Sequence, residues 1–263
     1  MSQKIIEFLY DARTVIWFLL KGPLFYPSLL EYTLRSFRTN HDTDELKTLA
    51  REWCKANVIS KEHLFKKLEF TSRSSEIFTD EFINQKLDVI RSSNADFGGM
   101  GDIHLIYDIC ENMQAVNCIE TGVAYGWSSE AVLRSISKRE GSLISVDMPM
   151  IGQSDYHLIG FVVSDDYQKN WSLLRMPDMN GLLKAIKMHG TNQIDFIHYD
   201  SDKSYYGRKW SQPYIMDALK ENGIFVSDDI NDNFAFKEFV EENNLTYYVI
   251  EHAGKFVGII TKQ

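Results

Sequence analysis

The stretch IDFIHYDSDKSYYGRK (194–209) sets two acids and a lysine, within Asp200-Ser201-Asp202-Lys203, directly after an apolar run. IDFIHYD is short and apolar, the pattern of a buried strand. Charges at the end of such a strand are costly to hold without a partner. The same texture surrounds it. AVNCIETG (115–122), GSLISVDM (141–148), WSLLRM (171–176) and GIFVSDD (223–229) are further short apolar runs, each closing on a turn or an acid. Helical stretches separate them: WSSEAVLRSISKRE (127–140), GLLKAIKM (181–188) and YIMDALKEN (214–222), with DIHLIYDICENM (102–113) ahead of the first strand. Alternation of this kind implies a parallel sheet covered by helices on both faces.

The C-terminal end differs. TYYVIEH (246–252) and KFVGIIT (255–261) are separated only by Ala253-Gly254, too short for a crossover helix, so the pair predicts an antiparallel hairpin. The expected fold class is α/β: a doubly wound, seven-stranded, mostly parallel sheet ending in that hairpin. In open sheets of this kind ligands bind beyond the carboxyl ends of the strands. Upstream, ELKTLAREWCKANV (45–58) and EFINQKLDVIRSS (81–93) carry helical spacing, and SSNADFGGMG (92–101) is rich in turn formers. The chain therefore divides into a helical region, 1–97, serving as lid or interface, and a sheet domain, 98–263.

Composition narrows the class. Of 263 residues 44% are hydrophobic and 25% charged, and the formal net charge is −9 with no basic block. Nucleic acid is disfavoured as a partner, because phosphate binding leans on clustered positive charge. Cys54, Cys110 and Cys118 form no CxxC pair and fit buried thiols in a reducing cytoplasm. The apolar run TVIWFLL (14–20) is broken by Lys21, Gly22 and Pro23, well short of the roughly 20 residues of a membrane span. Docking onto the rest of the chain or onto a partner subunit, a second copy in a homodimer included, is its plainer use; membrane-surface binding is the other.

Four strand ends carry the candidate chemistry. In IETGVAYGWSS (119–129), Gly122 begins a turn and Gly126 precedes a helix, with Glu120 two residues before the first glycine. The spacing is G-x-x-x-G, not the G-x-G-x-x-G of dinucleotide binders, and an acid there suits a cationic ligand better than a pyrophosphate. A plain tight strand–helix turn explains the same glycines. Asp147 closes LISVDMP (143–149), where an acid can accept hydrogen bonds from ribose hydroxyls. Asp200 ends the fourth strand, and Asp228 and Asp229 end the fifth, expected to be its neighbour. Three carboxylates in one place repel unless a cation sits among them, and hard oxygen ligands favour Mg²⁺ or another divalent ion. Without a metal, one aspartate would meet the ligand and the others cap helices. Lys203 lies close enough to reach the same cleft; near a metal its pKa would fall enough for a base, and a salt bridge is the alternative.

Taken together these residues resemble a class I S-adenosylmethionine (SAM)-dependent methyltransferase from about residue 98 onward. More narrowly, they are similar to the metal-dependent O-methyltransferases of the catechol and caffeoyl-coenzyme A type and to a related sugar and macrolide branch. The family's E-x-G-x-x-x-G-x-S is matched by Glu120, Gly122, Gly126 and Ser128, its D-x-D-K-x-x-Y by Asp200, Asp202, Lys203 and Tyr206, and its D-[ND] by Asp228 and Asp229. The resemblance implies that Asp200, Asp228 and Asp229 hold Mg²⁺ and that Lys203 is the general base. It implies that Glu120, the turn Gly122, Ala124, Tyr125, Gly126 with Ser128, and Asp147 and Asp200 hold SAM. The implied activity is methyl transfer to a hydroxyl of a small molecule or sugar. The third strand departs from the family, and only Asp178 in LLRMPDMNG (173–181) is available for the adenine. A non-catalytic nucleoside-binding or interaction protein of the same fold is the alternative.

Overall fold

The computed structural model describes residues 39–71, 77–93, 95–148 and 156–263, together with residues 20, 26, 27, 30, 31 and 34. The apolar run 14–20 lies outside the described residues except for Leu20. No helix among the described residues is long and apolar enough to cross a membrane.

Seven strands form one sheet in the order β3-β2-β1-β4-β5-β7-β6. They are β1 (Asn117–Thr121), β2 (Ser142–Asp147), β3 (Trp171–Arg175), β4 (Ile194–Tyr199), β5 (Leu219–Ser227), β6 (Thr246–His252) and β7 (Lys255–Thr261). Strands β1 to β5 pair in parallel, and β7 runs antiparallel to both β5 and β6. The expected architecture is therefore present. Ala253 and Gly254 both take positive φ, 50° and 78°, the two-residue turn whose twist matches a hairpin.

Helices precede and cover the sheet. Their ranges are α1 (Asp44–Asn57), α2 (Lys61–Lys67), α3 (Asp80–Ser92), α4 (Ile103–Asn112), α5 (Trp127–Ile136), α6 (Asp178–His189), α7 (Tyr205–Ala218) and α8 (Ala235–Glu242). Thr43, Ser60, Thr79, Asp102 and Ser204 cap five of them by accepting from a backbone N–H of the first turn. Successive strand residues point to opposite faces, and the core divides accordingly. Cys118, Phe196, Ile224 and Val226 join one apolar cluster with α4 and α5. Ile119, Ile197 and Phe225 join the other, with Leu182 and Ala185 of α6 and Ile215 of α7.

Two expectations need correction. The helix before β5 runs over 205–218, not 214–222, and β5 begins at Leu219, not at 223. Gly207 and Pro213 read as helix breakers, yet both sit inside α7. A side chain at 207 would run into the carboxylate of Asp202. Pro213 gives up an N–H that a helix interior would use.

Candidate active site

The turn after β1 is built by backbone geometry. Gly122, Ala124 and Gly126 take φ of 82°, 50° and 91°, a region that favours glycine. A Cβ on Gly122 would collide with the carbonyl oxygen of Asp200, so this turn and the end of β4 pack backbone against backbone. Asp147 reaches across from β2: its Oδ2 accepts from Val123 N (2.9 Å) and Ala124 N (3.1 Å), and its Oδ1 lies 3.4 Å from Arg175 Nη1. Burial raises the pKa of Asp147 above the ordinary carboxylate value, against the opposing pull of Arg175 and the two N–H groups.

Beyond these strand ends opens a cavity of about 340 Å³, within the range of small-molecule sites. Of the expected site residues Gly122, Ala124, Asp147, Asp200 and Lys203 line it, and so does Asp178. The others stand behind the wall. Glu120 is fully buried and accepts from the hydroxyls of Ser128, Ser129 and Ser145, so it ties the start of α5 to β2. The Tyr125 hydroxyl donates to Ala95 O (2.8 Å) and accepts from Phe97 N (3.3 Å), and its ring packs 5.0 Å from Phe97, a wall residue. Gly126 would meet Gly160 Cα at 2.9 Å if it carried a Cβ, which seats the 156–163 segment against the turn.

Of the acids after β4 and β5, Asp200 and Asp229 come together, and the cation between them is a lysine. Lys203 Nζ lies 2.8 Å from Asp200 Oδ1 and also bonds Asp229 Oδ2. Lys255 Nζ, from the hairpin, is 3.2 Å from the same Asp229 oxygen. Asp228 Oδ2 lies 3.5 Å from His198 Nε2, and His198 Nδ1 is 3.6 Å from Glu120 Oε1. Burial would lower the Lys203 pKa, but the pairing with Asp200 and Asp229 outweighs it and raises the pKa above the ordinary lysine value. That direction is opposite to the one expected beside a metal. Asp200 is raised by burial and by the Asp228 charge, against Lys203. Burial also opposes ionisation of Asp229, yet Lys203 and Lys255 hold it below the usual carboxylate range.

The Mg²⁺ expectation finds no assembled ligand set. Among the described residues no group of three or more His, Cys, Asp or Glu side chains is placed to hold a metal ion. The reason is local: an ammonium stands between Asp200 and Asp229, and Asp228 faces an imidazole. As they stand, the residues do not fit the ion.

Sequence reading missed Arg208 and His198. Arg208 is almost fully buried in α7; it donates from Nη1 to Ser227 Oγ (2.6 Å) and from Nη2 to the carbonyls of Asp228 (2.7 Å) and Asp229 (3.1 Å). It thereby fixes the backbone that carries both acids. His198 sits in the apolar run IDFIHYD, where it looks like one more buried residue; its register opposite Glu120 is a property of the sheet. No local signal marks either residue.

Residues 119–230 match the family model described as a methyltransferase domain. No curated protein matches the sequence. Solved structures do. An O-methyltransferase from Bacillus cereus in complex with SAH aligns with a TM-score of 0.54 at 12% identity, over 80% of this chain and 100% of that one. The SAM complex of TomG, an O-methyltransferase from Streptomyces achromogenes involved in tomaymycin synthesis, aligns with a TM-score of 0.54 at 15% identity, over 72% and 94%. The SAH-bound methyltransferase PaMTH1 from Podospora anserina gives 0.54 at 13%, over 77% and 94%. At such identities the likeness speaks to the fold. The strand-end motifs that carry the class I resemblance, from Glu120 to Asp229, all fall within the span matched by the methyltransferase-domain model.

Proposed function

We propose that the chain is a SAM-dependent O-methyltransferase acting on a hydroxyl of a small molecule or sugar, in a cytoplasmic setting. One observation carries the reading: a single cavity brings Gly122, Ala124, Asp147, Asp200 and Lys203 together at the carboxyl ends of the strands. Its acids and small residues fit a nucleoside that bears a sulfonium, since carboxylates favour a nearby positive charge. Solved structures of this fold hold SAM or SAH, which supports the same ligand here. Residues 1–97 serve as the covering region and 98–263 as the cofactor domain.

When bound, SAM supplies a methyl group on a positively charged sulfur. The chain has to align the acceptor oxygen with that methyl, and alignment alone can remove several kcal/mol of a barrier. The turn 122–126 and Asp147 position the cofactor side, and Glu120 acts through Ser128 rather than by touching the ligand. Lys203 handles the acceptor. Paired with Asp200 and Asp229 it is an ammonium and donates a hydrogen bond to the acceptor oxygen. To act as the base it must first give up its own proton to solvent, which Asp200 and Asp229 oppose by holding its pKa high; the neutral amine then takes the hydroxyl proton as the oxygen attacks the methyl.

The test is a thermal shift with SAM and with NAD, followed by methyl transfer from labelled SAM to a panel of vicinal diols, catechols and sugars. At a hundredfold excess over its dissociation constant, a ligand of the native state adds about 2.7 kcal/mol. For a chain of this size that raises Tm by about 5–10 °C. A shift with SAM, none with NAD, and a labelled product support the reading. A shift without turnover on any acceptor favours the nucleoside-binding protein, and no shift with SAM overturns both.

A further inference from the structure

The aspartates after β4 and β5 already have their cations. Lys203 Nζ occupies the space between Asp200 and Asp229, 2.8 Å from Asp200 Oδ1 and bonded to Asp229 Oδ2. Mg²⁺ binds oxygens at about 2.0–2.1 Å, so an ion drawing on these two carboxylates would need the place of the ammonium. A second ammonium, that of Lys255, lies 3.2 Å from Asp229 Oδ2. The backbone on either side of Lys255 is bonded, Gly254 O by Arg51 Nη2 (2.9 Å) and Phe256 N to Asn231 Oδ1 (3.2 Å), while the ammonium itself stays largely exposed. The third carboxylate, Asp228, faces His198. Arg208 fixes the backbone of Asp228 and Asp229 through their carbonyls.

We infer that Lys203 and Lys255 replace a divalent ion in this acidic site, and that the acceptor hydroxyl meets an ammonium where a metal would stand. The inference concerns which cation fills the site. It holds or fails by metal binding, separately from the proposed methyl transfer, whose own failure would appear as absent SAM binding or turnover.

Mn²⁺ serves as the probe, followed by water proton relaxation and calorimetry on the full-length protein. The wild type is expected to show no stoichiometric Mn²⁺ site. Lys203→Met removes the central ammonium and leaves three carboxylates, so it should gain one site and bind Mn²⁺ at least about tenfold more tightly than the wild type, a modest effect for a charge within about 4 Å. Lys203→Arg keeps the charge and should bind no better than the wild type. One equivalent of Mn²⁺ on the wild type, with affinity like that of Lys203→Met, overturns the inference. So does Lys203→Met that stays folded by circular dichroism and binds no ion. The wild-type titration decides the matter even where that variant fails to fold.

Discussion

At Asp178 burial pushes the carboxyl pKa from an ordinary 3.8 up to about 6, with Asp202 adding to the rise and the Ser201 hydroxyl, the Asp202 backbone and Tyr199 opposing it. The folded state therefore holds this proton more tightly than the unfolded chain does. Stability from the group is fully present below about pH 4 and is lost as the pH rises through about 6. The pKa difference corresponds to roughly 3 kcal/mol. Asp178→Asn cannot titrate and should unfold at higher urea than the wild type at pH 7.5, by about 1–3 kcal/mol, with the gain gone at pH 4. Equal midpoints at both pH values would place the carboxyl in water. At this scale the sequence is uneven evidence. Gly122 was legible because a strand–helix turn needs positive φ. The buried Asp178 was visible only as an acid after β3, since its surroundings come from Ser201 and Tyr199, more than 20 residues away.

Among the elements, α7 holds the ends of β4 and β5 together through one side chain. Arg208 satisfies the Ser227 hydroxyl and the carbonyls of Asp228 and Asp229, and it passes 5.9 Å from the Tyr199 ring. Removing a buried donor leaves its acceptors unpaired, at about 1–3 kcal/mol for each group fully exposed to the loss. Arg208→Met should lower stability by about 3 kcal/mol or more and weaken SAM binding, read by urea unfolding and by calorimetry. Arg208→Lys should restore little of either, because an ammonium cannot span three acceptors set for a guanidinium fork. Unchanged SAM affinity in a folded Arg208→Met protein would separate the acids' backbone from the cofactor site. The strands themselves were legible from their short apolar runs and acidic ends, and the hairpin from its two-residue gap. The span of α7 was not, because Gly207 and Pro213 break the local pattern and only Asp202 packing against Gly207 explains one of them.

For the molecule as a whole, helices α1 and α2 and the residue Phe78 contribute to the core. Leu64, Phe65 and Phe78 are buried in the cluster that includes Ile106 and Cys110 of α4, and Cys54 lies in the opposite cluster. Strand β6 ends the sheet, and an open edge invites pairing with other chains. Here Ile59 N donates to Val249 O (2.9 Å), Val58 bridges Val249, and Trp53 stacks on Tyr247 at 5.7 Å, so the segment after α1 covers that edge. Asp42 accepts from Tyr205 N (3.2 Å) and Asn233 Nδ2 (2.9 Å), close behind Lys203. The sequence showed α1 and α3 by their spacing, but neither α2 nor these partners, because contacts between separate segments leave no local periodicity. A fragment of residues 98–263 should therefore fail to unfold cooperatively and should aggregate through the exposed β6 edge. Each large apolar residue removed from such a core costs about 2–5 kcal/mol, and three of them rival the whole stability of a typical domain. Urea unfolding and light scattering on the fragment beside the full chain give the answer: a cooperative, monomeric transition in the fragment would mean that the sheet stands without its helical cover.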